Sequence, residues 1–466
     1  MLFSSIPFLY YFLPLVLVLY FAVPKVLKNT VLLLFSLVFY AWGEPRYVFL
    51  MIATVLVCYI LGILIEKFQN KPLSKIFMVI SVIFCLFILG YFKYADFFIT
   101  NFNKVTGLSF PLLKIALPIG ISFYTFQILS YTIDVYRGNV CAQKNPVTLA
   151  TYVSLFPQLI AGPIVRYKDV AEQLKERVHS FEKATEGIRR FIYGLSKKIL
   201  LANVLGELCD SFIISDDKSV LFYWLYVVSY MLQIYFDFSG YSDMAIGLGK
   251  IFGFDFLENF NYPFISKSAT EFWRRWHISL GSWFRDYVYI PMGGNRVPKL
   301  RMFLNIFTVW FLTGFWHGAE WNFIIWGLYF ALLLLIEKFF LLKFLDKSKV
   351  VSRIYLLFTV AISFAIFSAN GLTEAFVRVG GLFGAGNLPL TSTAFVYNIR
   401  NFATVLVIGI LCSTPLFKTL KKIINKNALC KSITEVLEIP FLLLLLIICT
   451  GFLADGSFNP FLYFRF

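Results

Sequence analysis

Charged side chains are scarce in this chain, and histidine is rarer still. Lys, Arg, Asp and Glu supply 15% of the 466 residues, and there are three histidines. Ordinary soluble domains are about 25% charged, whereas this chain is 59% hydrophobic with a mean hydropathy of +0.76. A water-soluble core cannot hold that much apolar side chain, so the composition indicates a protein embedded in a membrane.

Acidic residues are the scarcer charge, with 26 Asp and Glu against 42 Lys and Arg. The net charge of +16 could serve nucleic-acid binding, but basic cytosolic loops are the usual topology signal of membrane proteins. The basic residues concentrate at 67–75, 166–198, 267–301, 338–353 and 418–431. We therefore expect contacts with membrane lipids and no nucleic-acid partner.

Paired cysteines and nucleotide-binding glycine motifs are also missing. The seven cysteines are scattered, mostly in apolar segments, without a C-x-x-C pair, which argues against a disulfide framework and a cysteine metal site. The sequence contains no Walker motif, no dinucleotide-binding motif and no internal repeat. We expect no metal, no tightly bound cofactor, and a single membrane domain over residues 1–466.

Apolar segments of membrane-spanning length fill most of the chain. They predict an all-α polytopic membrane protein with about eleven or twelve transmembrane helices, since a span needs about 20 residues. The clear segments are 9–23, 47–65, 76–91, 221–236, 323–336, 354–369 and 439–453, and the shorter or less apolar ones are 30–42, 115–136, 188–208, 302–317 and 402–417.

Charges and helix breakers add detail to this topology. No Lys or Arg precedes the first segment, while Lys25 and Lys28 follow it, so we expect the N-terminus outside. Two prolines and a glycine interrupt the apolar stretch 148–165, which predicts a re-entrant segment buried by other protein. Asp237 and Asp243 lie near a span end, and we interpret them as helix-capping or otherwise structural rather than catalytic.

Tryptophan and histidine concentrate in one part of the chain. Seven of the nine tryptophans and two of the three histidines fall between residues 273 and 326, whereas His179 lies in a charged run and is interpreted as a solvated loop residue. At 100° per residue, one face of 271–287 carries Trp273, Trp276, Leu280, Trp283, Phe284 and Tyr287, and the opposite face carries Arg274, Arg275, Ser282 and Arg285. This pattern is typical of a helix lying in the membrane interface. His277, at the border of the two faces, could anchor this helix at headgroup level or help the basic face bind the phosphates of a cytosolic coenzyme.

His317 lies inside the apolar stretch 302–340. An ionisable side chain within a span is expensive and usually marks a functional site. Thr313, His317 and Glu320 are spaced to share a helix face, so Glu320 could orient the imidazole if the helix continues. The structural alternative is a histidine that hydrogen-bonds between helices. No third ligand residue accompanies the pair, so we expect no metal there.

The neighbours of His317 also indicate its packing and depth. Gly314 and Gly318 form a G-x-x-x-G pair, which lets another helix approach closely. Counted from Arg301 at the cytosolic edge, His317 lies about 24 Å into a layer about 30 Å thick. We therefore expect His317 nearer the outer face and His277 near the cytosolic face.

At these residues the chain resembles the membrane-bound O-acyltransferase family, in the branch of alginate and peptidoglycan O-acetylation proteins. The resemblance extends through most of the chain. Its motifs here are LPIGISFY (117–124), FPQLIAGPI (156–164), YFDFSGYSDMA (235–245), FWRRWHISL (272–280), RDYVYIPMGG (285–294), GFWHG (314–318) and NPFLYFRF (459–466). The embedded histidine of the family corresponds to His317, and its second characteristic histidine corresponds to His277.

The resemblance implies a fold and an activity. It implies re-entrant and interfacial helices around a central funnel or tunnel in a bacterial inner membrane. It further implies transfer of an acetyl group from cytosolic acetyl-CoA to a surface polysaccharide, through an extracytoplasmic SGNH-hydrolase-like acetyltransferase or another acceptor protein. The implied catalytic residues are His317, as general base, and His277. We add candidates from these motifs and from the residues beside GFWHG. The supporting candidates are Glu320, Thr313, Asn322 and Trp316, and the donor-binding candidates are Arg274, Arg275, Trp273 and Trp276.

Other functions fit parts of the same pattern. A multi-span transporter or flippase for a lipid-linked saccharide would share the many spans and the basic inner face, but it would favour repeated halves and several charges within the membrane. A nonenzymatic scaffold would leave His317 and Glu320 unexplained. D-alanyl transfer to teichoic acid, by a related branch, fits the acetyltransferase-like motifs less well.

Overall fold

Helices form from nearly every apolar segment of the chain. The computed structural model describes residues 1–160 and 162–455, and no β-strand occurs within these ranges. The terminal motif at 459–466 lies outside the described residues. The α-helices, numbered in chain order, are α1 (Leu13–Ala22), α2 (Lys28–Gly43), α3 (Tyr47–Lys67), α4 (Pro72–Thr106), α5 (Ile121–Tyr136), α6 (Pro146–Ser154), α7 (Phe156–Leu159), α8 (Tyr167–Lys175), α9 (Phe181–Ser196), α10 (Val204–Ile214), α11 (Val220–Ile251), α12 (Ala269–Trp273), α13 (Ile278–Phe284), α14 (Lys299–His317), α15 (Trp321–Ile336), α16 (Leu342–Leu345), α17 (Lys349–Phe367), α18 (Leu372–Leu382), α19 (Thr393–Cys412), α20 (Leu416–Ile424) and α21 (Ala428–Ala454).

Several of these helices continue through turns of other helical types. The π-helical turns are Pro7–Phe12, Lys197–Asn203, Arg285–Tyr289 and Glu337–Leu341, and the 3-10 turns are Lys25–Leu27 and Pro263–Ile265. Three of the π-helical turns run directly into α1, α10 and α16. Because a π-helical turn bulges a helix without ending it, the apolar segments containing these turns remain helical throughout.

The chain groups into two compact units. The first comprises residues 1–191 and 241–257, and the second comprises residues 192–240 and those from 258 onward. Interlocking aromatic rings fill the first unit around Phe8, Phe39 and Phe156. The second unit has a hydrophobic core that includes Phe272, Trp276 and Trp326. The second unit also contains residues 273–326, where the tryptophans and histidines concentrate.

In the part of the chain that the structure describes, eight helices are long and apolar enough to cross a membrane by length and composition. They are Lys25–Gly43, Tyr47–Lys67, Pro72–Thr106, Val220–Ile251, Trp321–Leu345, Lys349–Phe367, Thr393–Cys412 and Ala428–Ala454. Their outward faces are apolar, as at Leu443, Leu444 and Ile447 of α21, which are all exposed. Such continuous apolar exposure suits lipid rather than water. The protein is therefore an all-α, multi-pass membrane protein, as predicted.

The sequence led us to expect more spans than these eight. Within the described residues, the first apolar helix, Pro7–Ala22, falls below the length of a span. The expected spans at 115–136, 188–208 and 302–317 are also not among the eight. The helix within the first of these, α5, has only 16 residues, and nearly all of them are buried. An apolar stretch can thus belong to the protein core rather than to the lipid boundary, which hydropathy alone does not distinguish.

The interrupted stretch at 148–165 forms two short helices rather than one span. Helices α6 and α7 meet at Leu155, whose backbone (φ −51°, ψ 109°) leaves the helical region. The stretch is buried at every described residue except Ala150, which is partly exposed, and Tyr152 donates a hydrogen bond to the carbonyl oxygen of Val165. The broken backbone is therefore enclosed by protein, as expected for this segment. Its depth in a membrane stays a prediction.

Two glycines bring α14 and α15 into backbone contact. A Cβ atom on Gly314 would lie 2.3 Å from the carbonyl oxygen of Phe323, and one on Gly327 would lie 2.3 Å from that of Trp310. Both distances are far inside van der Waals contact, so only glycine fits. The predicted close approach at Gly314 is confirmed. Gly318 differs, because it follows the end of α14 and faces the ring of Phe323.

We expect Gly314→Ala to destabilise the protein by about 1–3 kcal/mol or more, because the added methyl group must push two helix backbones apart. Gly451→Ala in α21 is the matched control, since a Cβ there meets nothing within 4 Å and alanine favours the helix. Thermal midpoints in detergent check both variants. Equal midpoints for the two variants would show that α14 and α15 do not approach through Gly314.

Candidate active site

Helix α14 ends at His317. Gly318 has an extended backbone (φ −166°, ψ 156°), and the next helix, α15, begins at Trp321. Glu320 is therefore the residue before α15 and not part of the α14 face that carries His317. It is exposed, and its carboxylate accepts a hydrogen bond from the backbone of Gly371. The predicted alignment of Thr313, His317 and Glu320 on one helix face is wrong.

Aromatic rings enclose the imidazole of His317. The ring centroids of Trp316 and Trp326 each lie 5.0 Å from that of His317, and the Phe367 centroid lies 5.3 Å away. All three rings stand steeply inclined to the imidazole, at 72° to 85°, an edge-to-face geometry that aromatic pairs favour. His317 is 6% exposed. The ring is thus held in a narrow aromatic shell at the end of α14.

His277 lies at a break between two short helices. It precedes α13 in a left-handed conformation (φ 45°, ψ 54°), which histidine tolerates better than most residues. The predicted continuous amphipathic helix over 271–287 is therefore wrong. Tertiary backbone bonds accompany the break: Ile278 N–H donates to the Asn259 carbonyl oxygen at 3.0 Å, and Asn261 N–H donates to that of Arg275 at 2.9 Å.

The side chain of Asn259 determines which nitrogen of His277 carries the proton. Its Oδ1 atom accepts hydrogen bonds from the backbone N–H of Ser279 at 3.2 Å and from Ser279 Oγ at 2.9 Å. A backbone N–H can only donate, so the Asn259 atom at this position is its oxygen. The same oxygen lies 3.1 Å from His277 Nδ1, which must therefore carry a hydrogen. In the neutral ring, His277 Nε2 therefore carries no hydrogen and has a lone pair that can accept a hydrogen bond.

The Nε2 atom of His277 is buried without a hydrogen-bond partner among the described residues. The side chain is 1% exposed, and the Phe238 ring stands edge-on to it with the centroids 4.7 Å apart. Burial lowers the pKa of His277 to about 3, because a charged imidazolium loses its hydration there. At neutral pH His277 is therefore uncharged and presents one unpaired acceptor, which is a feature of buried groups that bind a ligand.

The indole of Trp316 lies against both imidazoles. Its centroid is 6.0 Å from that of His277 and 5.0 Å from that of His317. Two rings that contact one indole cannot lie at opposite faces of a layer about 30 Å thick. The expected separation, with His277 at the cytosolic face and His317 near the outer face, is wrong. Both histidines belong to a single site, which we call the Trp316 site (His277, Trp316 and His317).

Comparison with known protein families identifies the family to which the chain with this site belongs. Residues 139–374, which include the whole Trp316 site, match the family described as "MBOAT, membrane-bound O-acyltransferase family". The chain belongs to this family. It is 38% identical to the probable alginate O-acetylase of Azotobacter vinelandii, over 100% of both chains. It is 34% identical to the peptidoglycan O-acetyltransferase of Helicobacter pylori, over 84% of this chain and 81% of the relative.

A relative with a different named activity matches a smaller share of the chain. The teichoic acid D-alanyltransferase of Bacillus subtilis is 32% identical over 48% of this chain and 59% of the relative. The match covers less of the chain than the acetylase matches do. The protein is thus a membrane O-acyltransferase, and family membership favours acyl transfer over the transporter and scaffold alternatives.

A buried carboxylate that the sequence did not reveal anchors the His277 segment of this acyltransferase. Glu337, which is fully buried, accepts hydrogen bonds from the backbone N–H groups of Ala269 at 2.5 Å and Thr270 at 2.8 Å, and from Thr270 Oγ1 at 2.6 Å. These bonds fix the start of α12 to the helical segment that follows α15. The only feature of the sequence that could have indicated this contact is a Glu at the end of an apolar segment.

The donor-binding candidates lie in two different environments. Arg274 is exposed, whereas Arg275 forms an ion pair with Glu271 at 2.8 Å. Trp276 stacks on Phe272, with the ring centroids 5.4 Å apart. Trp273 lies 4.7 Å from Trp310 and 4.9 Å from Phe330 between ring centroids. The two indoles therefore pack in the core, and only Arg274 presents an unengaged charge to solvent.

Two supporting candidates stabilise the surroundings of His317. Thr313 Oγ1 donates to the Val309 carbonyl oxygen of its own helix at 2.7 Å. Asn322 Nδ2 donates to the Ala369 carbonyl oxygen at 2.8 Å, two residues beyond the Phe367 ring that contacts His317. Asn322 thereby holds the chain segment that contributes to the aromatic shell. Among the described residues, no three His, Cys, Asp or Glu side chains are placed to hold a metal ion.

The aspartates near the predicted span end form ion pairs. Both lie inside α11, so the expectation of helix caps is wrong. A structural rather than catalytic role stays a prediction. Asp237 Oδ1 lies 2.5 Å from Lys198 Nζ, and both side chains are buried. Asp243 Oδ1 lies 2.8 Å from Arg190 Nη2. Buried charges persist only when they are paired in this way.

The lowered pKa of His277 predicts how stability depends on pH. Below pH 6.5 the unfolded chain binds a proton at this imidazole, but the folded chain does not until about pH 3. Stability should therefore be complete above pH 6.5 and fall as the pH decreases, by at most about 1.4 kcal/mol per pH unit.

His277→Asn is the matched variant, because asparagine keeps a donor toward Asn259 and tolerates positive φ. We expect the thermal midpoint of the native enzyme to fall more steeply between pH 6.5 and pH 4.5 than that of the variant. Parallel curves would mean that His277 is not held neutral by burial.

Proposed function

We propose that this acyltransferase moves an acetyl group from cytosolic acetyl-CoA across the membrane for O-acetylation of a cell-surface polysaccharide. The polysaccharide is peptidoglycan or an alginate-like exopolysaccharide, the substrates that the names of two relatives contain. The observation that carries the proposal is the Trp316 site, where two buried imidazoles flank one indole. We place the enzyme in a bacterial inner membrane with its N-terminus outside, because Lys25 and Lys28 follow its first apolar segment.

His317 acts as the general base in this proposal. It removes the proton from an acceptor hydroxyl as the oxygen attacks the thioester carbonyl of the donor. The new C–O bond forms, the C–S bond breaks, and the imidazolium returns its proton to the departing sulfur. An imidazole suits both steps because its ordinary pKa lies near neutrality, and positioned proton transfer typically contributes about a hundredfold to ten-thousandfold.

His277 positions the acceptor rather than serving as the base. A pKa of about 3 makes Nε2 a weak proton acceptor at neutral pH, but its lone pair can still accept a hydrogen bond. An acceptor hydroxyl held by His277 Nε2 would be directed within the site that contains His317. The two histidines thus take different roles because their surroundings differ. Arg274 is the donor-phosphate candidate that the structure leaves exposed.

The acceptor hydroxyl belongs to a partner in this proposal. An extracytoplasmic SGNH-hydrolase-like acetyltransferase, or another acceptor protein, would take the acetyl group and pass it to the polysaccharide. Because His317 is only 6% exposed, both substrates require the aromatic shell to open. Rotation of the Phe367 or Trp326 ring would expose the imidazole without moving a helix, since each contacts it through a side chain.

Substituting His317 tests the proposed base. We expect His317→Ala to lower acetyl transfer from radiolabelled acetyl-CoA in proteoliposomes by at least about a hundredfold, with an unchanged yield of folded protein. Phe311→Leu is the matched control, because Phe311 lies on the same helix and stacks on Phe315. Full transfer by a folded His317→Ala variant would contradict the assignment.

Substituting Asn259 tests the tautomer argument. Asn259→Ala removes the acceptor for His277 Nδ1–H, and we expect transfer to fall by about tenfold or more. Asn259→Asp restores an acceptor and adds a negative charge, which stabilises the imidazolium and raises the pKa of His277. The acid limb of the pH–rate profile should therefore move to higher pH in Asn259→Asp. An identical profile in both variants would show that Asn259 acts only on folding.

A further inference from the structure

A group of cations surrounds Tyr20 in the first unit. Lys28 Nζ lies 4.7 Å from the centroid of the Tyr20 ring, and Arg177 Cζ lies 5.8 Å from it. His179 Nε2 lies 3.0 Å from the Tyr20 hydroxyl. We call these residues the Tyr20 cluster (Tyr20, Lys28, Arg177 and His179). The interpretation of His179 as a solvated loop residue is wrong, because its side chain is half-buried and hydrogen-bonded.

The Tyr20 hydroxyl holds His179 in a defined orientation. It donates its hydrogen to the Phe252 carbonyl oxygen at 2.9 Å, so toward His179 it can only accept. Nε2 of His179 therefore carries a hydrogen. Burial, and then the charges of Lys28 and Arg177, lower the pKa of His179, so the ring is neutral at pH 7. The positive charge of the Tyr20 cluster comes from Lys28 and Arg177.

Arg177 has an unsatisfied donor within the cluster. Its Nη2 donates to Asn29 Oδ1 at 2.8 Å, and its guanidinium lies over the Phe254 ring at 4.7 Å. Its Nη1 is buried and has no hydrogen-bond partner among the described residues. A buried donor without an acceptor costs about 1–3 kcal/mol. An acceptor for Arg177 Nη1 therefore has to come from outside the described residues.

No carboxylate of the described residues neutralises these charges. Neither Lys28 nor Arg177 takes part in an ion pair there, whereas nearby Lys183 is paired with Asp255 at 2.7 Å. Lys28 and Arg177 repel each other, and a second lysine, Lys25, adds to the repulsion. Two unpaired cations held together over one aromatic ring indicate an anionic ligand with several acceptor oxygens.

The surroundings of the cluster indicate which anion binds. Lys28 lies in the first turns of the candidate span Lys25–Gly43, so the cluster lies at the end of a membrane helix. Phe21, Val26 and Leu27 next to it expose their apolar side chains, as residues in contact with acyl chains do. A cationic cluster bordered by exposed apolar side chains at the end of a membrane helix suits a lipid headgroup better than a soluble metabolite.

We propose that Arg177 Nη1 and Lys28 Nζ bind the phosphate of an anionic phospholipid. Tyr20 and His179 position the two cations around it. The shared chemistry, a phosphate bearing uncompensated negative charge, could also come from a soluble coenzyme, so the experiment separates these sources. The proposal concerns the first unit and does not depend on acetyl transfer at the Trp316 site.

The test measures phosphatidylglycerol binding to the full-length protein by native mass spectrometry in mixed micelles, with phosphatidylcholine as the zwitterionic comparison. We expect the native protein to retain phosphatidylglycerol preferentially, and Lys28→Gln/Arg177→Gln to bind it about tenfold or more weakly. Lys71→Gln/Lys75→Gln is the matched control, because it removes the same charge from two exposed lysines. Its binding should equal that of the native protein.

A single variant and a competition measurement complete the test. If the double variant does not fold, Lys28→Gln alone serves, because the contacts of the Lys28 side chain with the described residues are with the rings of Tyr20 and Phe21. Coenzyme A and inorganic phosphate are added as competitors, and neither should displace the lipid. Equal phosphatidylglycerol binding by native protein and variant, or displacement by coenzyme A at micromolar concentration, would overturn the lipid assignment.

Discussion

The contact of one indole with two imidazoles is the constraint on which the rest of this acyltransferase depends. Trp316 and His317 occupy the last turn of α14, so they reach His277 only if that helix is held at the right depth and angle. Gly314 and Gly327 set its distance from α15 by backbone contact. Glu337 fixes α12, and hence the approach to His277, to the segment following α15. The contact between α14 and α15 thus positions Trp316 and His317, and the Glu337 hydrogen bonds position the segment that leads to His277.

Polar atoms inside this apolar core follow one rule, which is that each must find a partner or a ligand. Asn259 satisfies Nδ1 of His277, whereas Nε2 has no hydrogen-bond partner among the described residues. The charged pair Lys198 and Asp237 satisfies itself. Among the described residues, Lys28 and Arg177 have no carboxylate partner, and they lie where a membrane helix ends. Unsatisfied polar groups therefore indicate candidate ligand sites, whereas satisfied polar groups indicate contacts made within the protein.

The sequence was sufficient for the helical membrane architecture and the family, because apolar length and contiguous motifs are local signals. It did not predict that α14 ends at His317, although Gly318 directly afterwards is a common helix-stop signal. The helix expected over 271–287 breaks where its backbone pairs with residues 259–261, and no helical periodicity can reveal that pairing. Asn259 lies 18 residues from His277 and Glu337 lies 68 from Ala269, so both contacts exist only after folding.

We propose, above all, that His277 and His317 serve a single acyl-transfer step at the Trp316 site. A cryo-electron microscopy structure of the enzyme in nanodiscs, with a thioether analogue of acetyl-CoA that cannot be cleaved, tests this claim most directly. We expect the aromatic shell to open and the acyl carbonyl to lie beside Trp316, within reach of both imidazoles. An analogue whose acyl end lies elsewhere, while both imidazoles stay enclosed by their aromatic neighbours, would contradict the proposal.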